Sequence, residues 1–362
     1  MFKKLAKNTI WLSGSQIVGR AIGFVYFVFL ARTLPVDTFG SFVWVIGFVY
    51  NFYPLADFGL ERLVLKHISR AEGKANEYLA KLLPLRLFLA LGALLLALGA
   101  GLVIGLEPDK LFKILLFGLA VLPYNLIYLL TSIEMAREKM AVYAKTTVCL
   151  SILSALLGCL GLSFGLGLNW LLLSYLTGNL IVLLALLVYL GRIDLDWGWK
   201  IDLPFYKTIL SESWVFALLM IAAVFYLRIS LVLVGRLMGD YWAGIYGSAS
   251  KFVEAGILIP QGLALALFPA SSRLLLESKT KLKALYLKGI LIAFLLACPI
   301  GLGMYLGGPF VIPLVYGPNY QAAIPVFSLF GVLMVFFFVN SLAGNVIQNS
   351  NRIKQFIPLA LA

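Results

Sequence analysis

Apolar runs of about 20 residues recur along the whole chain, separated by short polar or charged stretches. A helix of that length crosses a hydrocarbon core of roughly 30 Å. Ten complete runs are read. The first leads from Lys3, Lys4 and Lys7 to Ala31. The next four are Phe39–Phe58, Leu82–Leu106, a run ending near Leu130, and Thr146–Leu166. The last five are Trp170–Leu190, Trp214–Val234, Ala243–Ala270, Lys288–Leu306 and Ile324–Val346, and an eleventh opens before Ala362. Between them lie a charged loop (Glu61–Lys81), the turn Glu107–Lys110, a loop at Glu134–Lys145 and a proline- and aromatic-rich turn around Pro309–Tyr320. Strand edges and bare loops cannot be satisfied in lipid, and the runs are too long for barrel strands. The predicted fold class is an all-α polytopic membrane protein. The N-terminal run resembles a signal peptide at its start, but it is too long and another span follows at once, so it reads as a retained helix.

The chain repeats itself. Residues 31–42 (ARTLPVDTFGSF) are echoed by residues 235–246 (GRLMGDYWAGIY): Arg is second, Gly tenth and an aromatic twelfth in both, at an offset of 204 from Arg32 to Arg236. Ser69-Arg70 meets Ser272-Arg273 at an offset of 203. Two pseudo-symmetric helix bundles follow, residues 1–204 and 205–362, divided in the polar connection Gly191–Lys207; half-repeats around a central site are the usual build of secondary transporters. Gly239-Asp240 is read as a hinge between two helices. On this register Ala362 falls mid-way along the repeat's fifth helix, so the chain is expected to be a truncated product lacking the end of the eleventh helix and the twelfth.

Composition agrees with lipid. Of 362 residues, 62% are hydrophobic and 12% charged, well beyond the apolar share of a soluble domain. The net charge of +13 could point to nucleic acid, but its distribution does not. Opposite the N-terminus lie only Arg32, Lys110, Lys113 and Arg236; apart from Arg20, Arg228 and Lys251 within spans, every other lysine and arginine is counted on the N-terminal side, Arg86 near the start of its span included. That bias puts the N-terminus in the cytoplasm, and it explains the charge through anionic leaflets.

No catalytic pattern is present. The sequence has no P-loop or glycine-rich nucleotide fingerprint, and the outer carboxylates Asp37, Glu107, Asp109 and Asp240 stand singly. Cys149, Cys159 and Cys298 fall inside spans and read as small apolar residues. His67, the single histidine, reads as an exposed loop residue, so no metal site or cofactor is expected. Trp44, Trp170, Trp214 and Trp242 read as interfacial anchors. The Gly-x-x-x-Gly spacings at 19/23, 101/105 and 161/165 permit close helix approach, and Pro260, Pro269 and Pro299 would kink their spans.

The informative groups are charges inside spans. Arg20 lies half-way along the first span, Arg228 lies in the repeat-equivalent seventh, and Lys251 and Glu254 stand at i and i+3 in the eighth. A central Arg or Lys costs at least about 2.5–3.5 kcal/mol on insertion scales, so it should face a wet interior. These four, with Gln16, Asn51 and Asn125, and more weakly Asp57, are the candidate substrate cavity. Two alternatives stay open: Lys251 and Glu254 pair on one helix face, or the arginines reach toward helix ends.

The stretches ARTLPVDTFGSF, ADFGLERLVLKHISR and LRISLVLVGRLMGDYWAGIYGSASKFVEAGILIPQGLALALFPASSRL resemble the oligosaccharide (O-antigen and capsule) flippases. These form the polysaccharide transporter branch of the multidrug/oligosaccharidyl-lipid/polysaccharide exporter superfamily, and the likeness covers essentially the whole chain. The resemblance implies a MATE-like pair of six-helix bundles around a cavity that opens alternately to each side. It implies a cargo of polyprenyl-diphosphate-linked oligosaccharide, a bacterial inner membrane, and neighbours such as a polysaccharide polymerase and chain-length machinery. Arg20, Arg228 and Lys251 would screen the diphosphate or acidic sugars. Many relatives carry an acidic residue two positions after the seventh-helix arginine, where this chain has Ser230. The runner-up within the superfamily is a multidrug or peptidoglycan-precursor exporter; a polymerase or glycosyltransferase would need a large outer loop with paired charges.

Overall fold

A computed structural model describes residues 2–69, 75–191, 198–257 and 278–349, with isolated positions between 258 and 277. The described residues are helical throughout, without a strand. In order the helices are α1 (Phe2–Thr33), α2 (Val36–Tyr50), α3 (Tyr53–Asp57), α4 (Leu60–Ile68), α5 (Ala75–Val103) and α6 (Pro108–Ala136). They continue as α7 (Met140–Ser163), α8 (Leu168–Gly191), α9 (Leu203–Met238), α10 (Asp240–Gly256), α11 (Lys279–Tyr316) and α12 (Ala323–Asn349). Among the described residues, nine helical segments are long and apolar enough to cross a membrane, with α2 to α4 forming one of them. The predicted eighth span is helical as α10; much of its continuation, Pro269 included, lies outside the described residues. So do the eleventh span and the match of Arg70 with Ser272-Arg273.

The chain packs as two compact units, one of residues 1–27 and 42–233, the other of 28–41 and 234–362. This division differs from the expected boundary at 204. Tyr206 and Ile209 of α9 belong to the same buried core as Leu79, Leu82, Ile133 and Leu190, so the early part of α9 stays with the first unit.

In the first unit, α6 packs against α4, α5, α7 and α8. Its helical hairpins turn in one way. After α5, Leu106 N–H bonds the Gly101 carbonyl and Gly105 N–H bonds that of Leu102, with Gly105 at φ 70°. After α7, Leu166 bonds Gly161 and Gly165 bonds Leu162, with Gly165 at φ 74°. These are Schellman ends, which a glycine takes without the Cβ penalty. The spacings at 101/105 and 161/165 therefore do two jobs. Gly105 and Gly165 terminate helices, while Gly101 lies against Leu111 and Gly161 against the Trp170 ring.

Three sequence expectations change here. The stretch from Leu60 is not a loop but α4, because Leu60, Leu63, Val64 and Ile68 form one buried face. His67, expected to be exposed, sits on that helix with Nδ1 3.0 Å from the Tyr78 hydroxyl and Nε2 3.1 Å from a Glu212 carboxylate oxygen. Trp44 is no interfacial anchor: it is fully buried and its indole donates to the Val232 carbonyl at 2.9 Å.

In the second unit, α12 packs against α10 and α11. The expected hinge is present, with Gly239 at φ 94° between α9 and α10. The turn expected around Pro309–Tyr320 occupies only the end of that range: α11 runs through Pro299, Pro309 and Pro313 to Tyr316, and the chain breaks at Gly317, φ 93°, before a 3-10 turn at Pro318–Tyr320. Prolines are tolerated in membrane helices when neighbouring groups satisfy the freed backbone. Arg32, expected in an outer loop, bonds the last carbonyls of α11, those of Leu314 and of Val315 (2.8 Å). A cation there also opposes the helix dipole.

Candidate functional site: an aromatic cavity and a buried ion pair

The first unit forms a half-open cavity of about 200 Å³ between α1, α2, α6, α7 and α8. Gly23 opens it. One turn earlier on α1, Gly19 lies close to the Ser151 hydroxyl, so α1 and α7 approach there; a Cβ on Gly23 would meet nothing within 4 Å. The spacing at 19/23 thus makes one contact and one void.

Aromatic rings wall the void. Tyr50 meets Phe117 edge-on at 5.6 Å between centroids, and Phe117 meets Tyr175 edge-on at 5.4 Å. Such geometry is the favoured one for ring pairs and fixes the wall. Tyr26 also lines it, its hydroxyl lying against Gly158. Polar groups are few. Asn179 donates from Nδ2 to the Ala120 carbonyl at 2.9 Å, which leaves its Oδ1 for another donor. Ser151 donates back to Thr147, 3.1 Å, and keeps its acceptor lone pairs. Ser154, Tyr124 and Tyr175 also line the cavity.

Of the residues singled out in the sequence, Arg228 comes nearest. Its guanidinium carbon lies 4.9 Å from the Tyr50 ring centroid. Asn51 adjoins Tyr50 in sequence; its Nδ2 donates to the Gly47 carbonyl at 2.7 Å, and its buried Oδ1 has no hydrogen-bond partner among the described residues. Gln16 and Arg20 occupy an exposed face of α1, outside the cavity lining. Lys251 and Glu254 belong to the second unit and pair with each other at 2.8 Å, which is the bland alternative raised for them.

Asn125 corrects the sequence reading most. It does not line the cavity; it is fully buried, donating to the Ala56 carbonyl (2.7 Å) and accepting from Arg86. Arg86, counted above among the N-terminal-side cations, is itself fully buried inside α5, 2.8 Å from Asp57. Asp57 reaches it through a sharp break: Phe58 and Gly59 both take left-handed backbone, φ 52° and 73°, and the Asp57 carboxylate accepts from Gly59 N–H at 3.0 Å. Arg86 Nε and Nη2 have no partner among the described residues. The aromatic and hydroxyl lining carried no sequence signal of its own, because tyrosine and serine in an apolar span read equally well as packing. No group of three or more metal-binding side chains occurs among the described residues.

The architecture has solved counterparts. The chain superposes on the lipid II flippase MurJ in an inward closed conformation with a TM-score of 0.76 at 12% identity, covering 97% of this chain and 78% of that one. An inward-facing multidrug resistance MATE family transporter of the MOP superfamily gives 0.72 at 16% identity, covering 98% and 87%. A eukaryotic MATE transporter, AtDTX14, gives 0.60 at 12%, covering 99% and 85%. At these identities the likeness establishes the fold, that of a multi-pass membrane transporter. Among curated proteins none matches the chain. Residues 5–275 match the family model described as polysaccharide biosynthesis protein, and with three-quarters of its length so matched the chain belongs to that family.

Proposed function

We propose that this chain is a flippase. It moves a polyprenyl-diphosphate-linked oligosaccharide, such as an O-antigen, capsule or exopolysaccharide repeat unit, across the bacterial inner membrane by alternating access. The family and the transporter fold support the reading, and the observation that carries it is Arg228 against Tyr50. An arginine within a span costs about 2.5–3.5 kcal/mol or more, and stacking on a tyrosine returns about 0.5–2 kcal/mol. A cation held within a span in this way suits an anionic cargo group, and the diphosphate is such a group. Arg20 and Lys251 serve the same headgroup from their own helices, beside Gln16, Asn51 and Glu254. The N-terminus faces the cytoplasm, and the cargo is delivered to a polymerase and its chain-length partners.

The test is to replace Arg20 and Arg228 together by Gln in the gene's full reading frame and complement a flippase-null strain. Surface polysaccharide should disappear while membrane abundance stays level. Normal export by the double variant would remove both arginines from the mechanism. Transport of cationic drugs in vesicles, with no glycan export, would move the chain to the multidrug reading.

A further inference from the structure

The proposed cargo has two chemically different ends, an anionic headgroup and a chain of sugars, and the arginines address only the first. We infer that the aromatic cavity of the first unit holds a single pyranose ring of the carried saccharide, an assignment that rests on the flippase reading above.

Size decides first. The half-open cavity offers about 200 Å³. That is room for one sugar ring, and it falls below the roughly 300–1,000 Å³ of sites that bury a drug-sized ligand. Chemistry decides next. A pyranose presents a flat C–H face and a rim of hydroxyls. Tyr50, Phe117 and Tyr175 supply an apolar wall held rigid by edge-to-face contacts at 5.6 and 5.4 Å. Asn179, Ser154 and Tyr175, which also line the cavity, carry the hydrogen-bonding groups beside it. Asn179 is already oriented by its 2.9 Å bond to Ala120, so little ordering is left to be done on binding.

A tyrosine-rich pocket also suits an organic cation, and the site argues against one. Among the described residues no carboxylate lines the cavity, and the Tyr50 ring on its wall already carries the Arg228 guanidinium at 4.9 Å. An uncharged or acidic sugar needs no carboxylate.

Gly23 gives a direct test, because it lines the cavity and a Cβ there meets nothing within 4 Å, so a leucine takes up part of the space. The full chain in nanodiscs would be probed by saturation-transfer difference NMR with a panel of methyl pyranosides (gluco, galacto, manno and 2-acetamido), and with tetraphenylphosphonium. At least one pyranoside should show saturation on its ring protons, abolished by Gly23→Leu. Tyr175→Phe, which keeps the wall and removes one hydroxyl, should weaken binding by about three- to tenfold. Pyranoside saturation unchanged by Gly23→Leu, or tetraphenylphosphonium held in a Gly23→Leu-sensitive manner with no pyranoside bound, overturns the assignment. Complementation separates the two claims. Glycan export should fall at least about tenfold in Gly23→Leu at equal membrane level; normal export there overturns the sugar cavity and leaves the flippase standing. Failure of the unmutated gene to restore export, with pyranoside binding intact, removes the flippase and leaves the cavity.

Discussion

Gly40 and Gly244 lie against each other, and they are the tenth residues of the two related twelve-residue stretches. A Cβ on Gly244 would sit 2.7 Å from the Val36 carbonyl oxygen and 3.3 Å from Gly40 Cα; one on Gly40 would collide with the Asp240 carbonyl. The two stretches thus meet at their tenth residues, and both backbones are too close there for any side chain.

The consequence is testable at one atom. Gly40→Ala forces backbone apart, and overpacking of this kind costs about 1–3 kcal/mol; Gly244→Ala should cost a similar amount. Thermal unfolding of the purified protein should report both losses, whereas Gly14→Ala, on α1 with nothing within 4 Å of its new methyl, should leave the midpoint unchanged or raise it.

These glycines also show what a sequence discloses. Spans and the break at Gly239 were legible because apolar runs and a glycine leave local marks, whereas Gly105 and Gly165, read as positions of close helix approach, instead end their helices. What escaped depended on distant partners. Arg86 reads as one more inner-side cation until Asp57 and Asn125 are seen beside it. His67 reads as surface until Tyr78 and Glu212 close on it. Proline normally stops a helix, so the continuity of α11 through Pro309 and Pro313 is set by its neighbours and by Arg32 at its end.

Glu138 occupies the place that glycine holds in the other hairpins. It ends α6 in left-handed backbone, φ 61°, with Lys139 N–H bonding the Glu134 carbonyl and its own N–H bonding that of Met135. A non-glycine residue there is held at a cost of about 1 kcal/mol or more, against which glycine's extra chain entropy weighs about 0.5–1 kcal/mol. Glu138→Gly should therefore be neutral or stabilising by up to about 1 kcal/mol, and Gly105→Ala and Gly165→Ala destabilising. Melting curves of the three variants would check the signs.

The connection before α9 should loosen in acid. Asp202 caps that helix by accepting from Phe205 N–H at 3.0 Å, and it accepts a second contact from Lys81 at 2.9 Å; these two bonds hold its carboxyl below the usual range. A depressed folded pKa means the stabilisation is complete above the ordinary aspartate value of about 3.9 and fades as pH falls through the lower folded value. Hydrogen exchange at Lys200 N–H, bonded to the Ala80 carbonyl, should stay protected from neutral pH down to about pH 4, after correction for intrinsic rates, and lose protection below. Asp202→Asn should be loose already at neutral pH.

The Asp57–Arg86 pair should dominate the stability of the first unit. Arg86 is fully buried and Asp57 nearly so, hence removing either partner leaves a charge without compensation in an apolar surround. Breaking a buried pair this way costs about 3–5 kcal/mol. Arg86→Met should therefore abolish accumulation in the membrane, and Asp57→Leu should do the same. The double variant should recover most of the loss, because attraction between the two ions does little more than offset their desolvation. It should still fall short of the native protein by about 1–2 kcal/mol, since Gly59 N–H loses its carboxylate acceptor and Asn125 loses the Arg86 donor. Membrane abundance and thermal midpoints of the four proteins form a complete cycle. Two fragile single variants with a robust double variant would mark the pair as structural; a double variant that folds well and yet exports nothing would give the buried ions a part in transport.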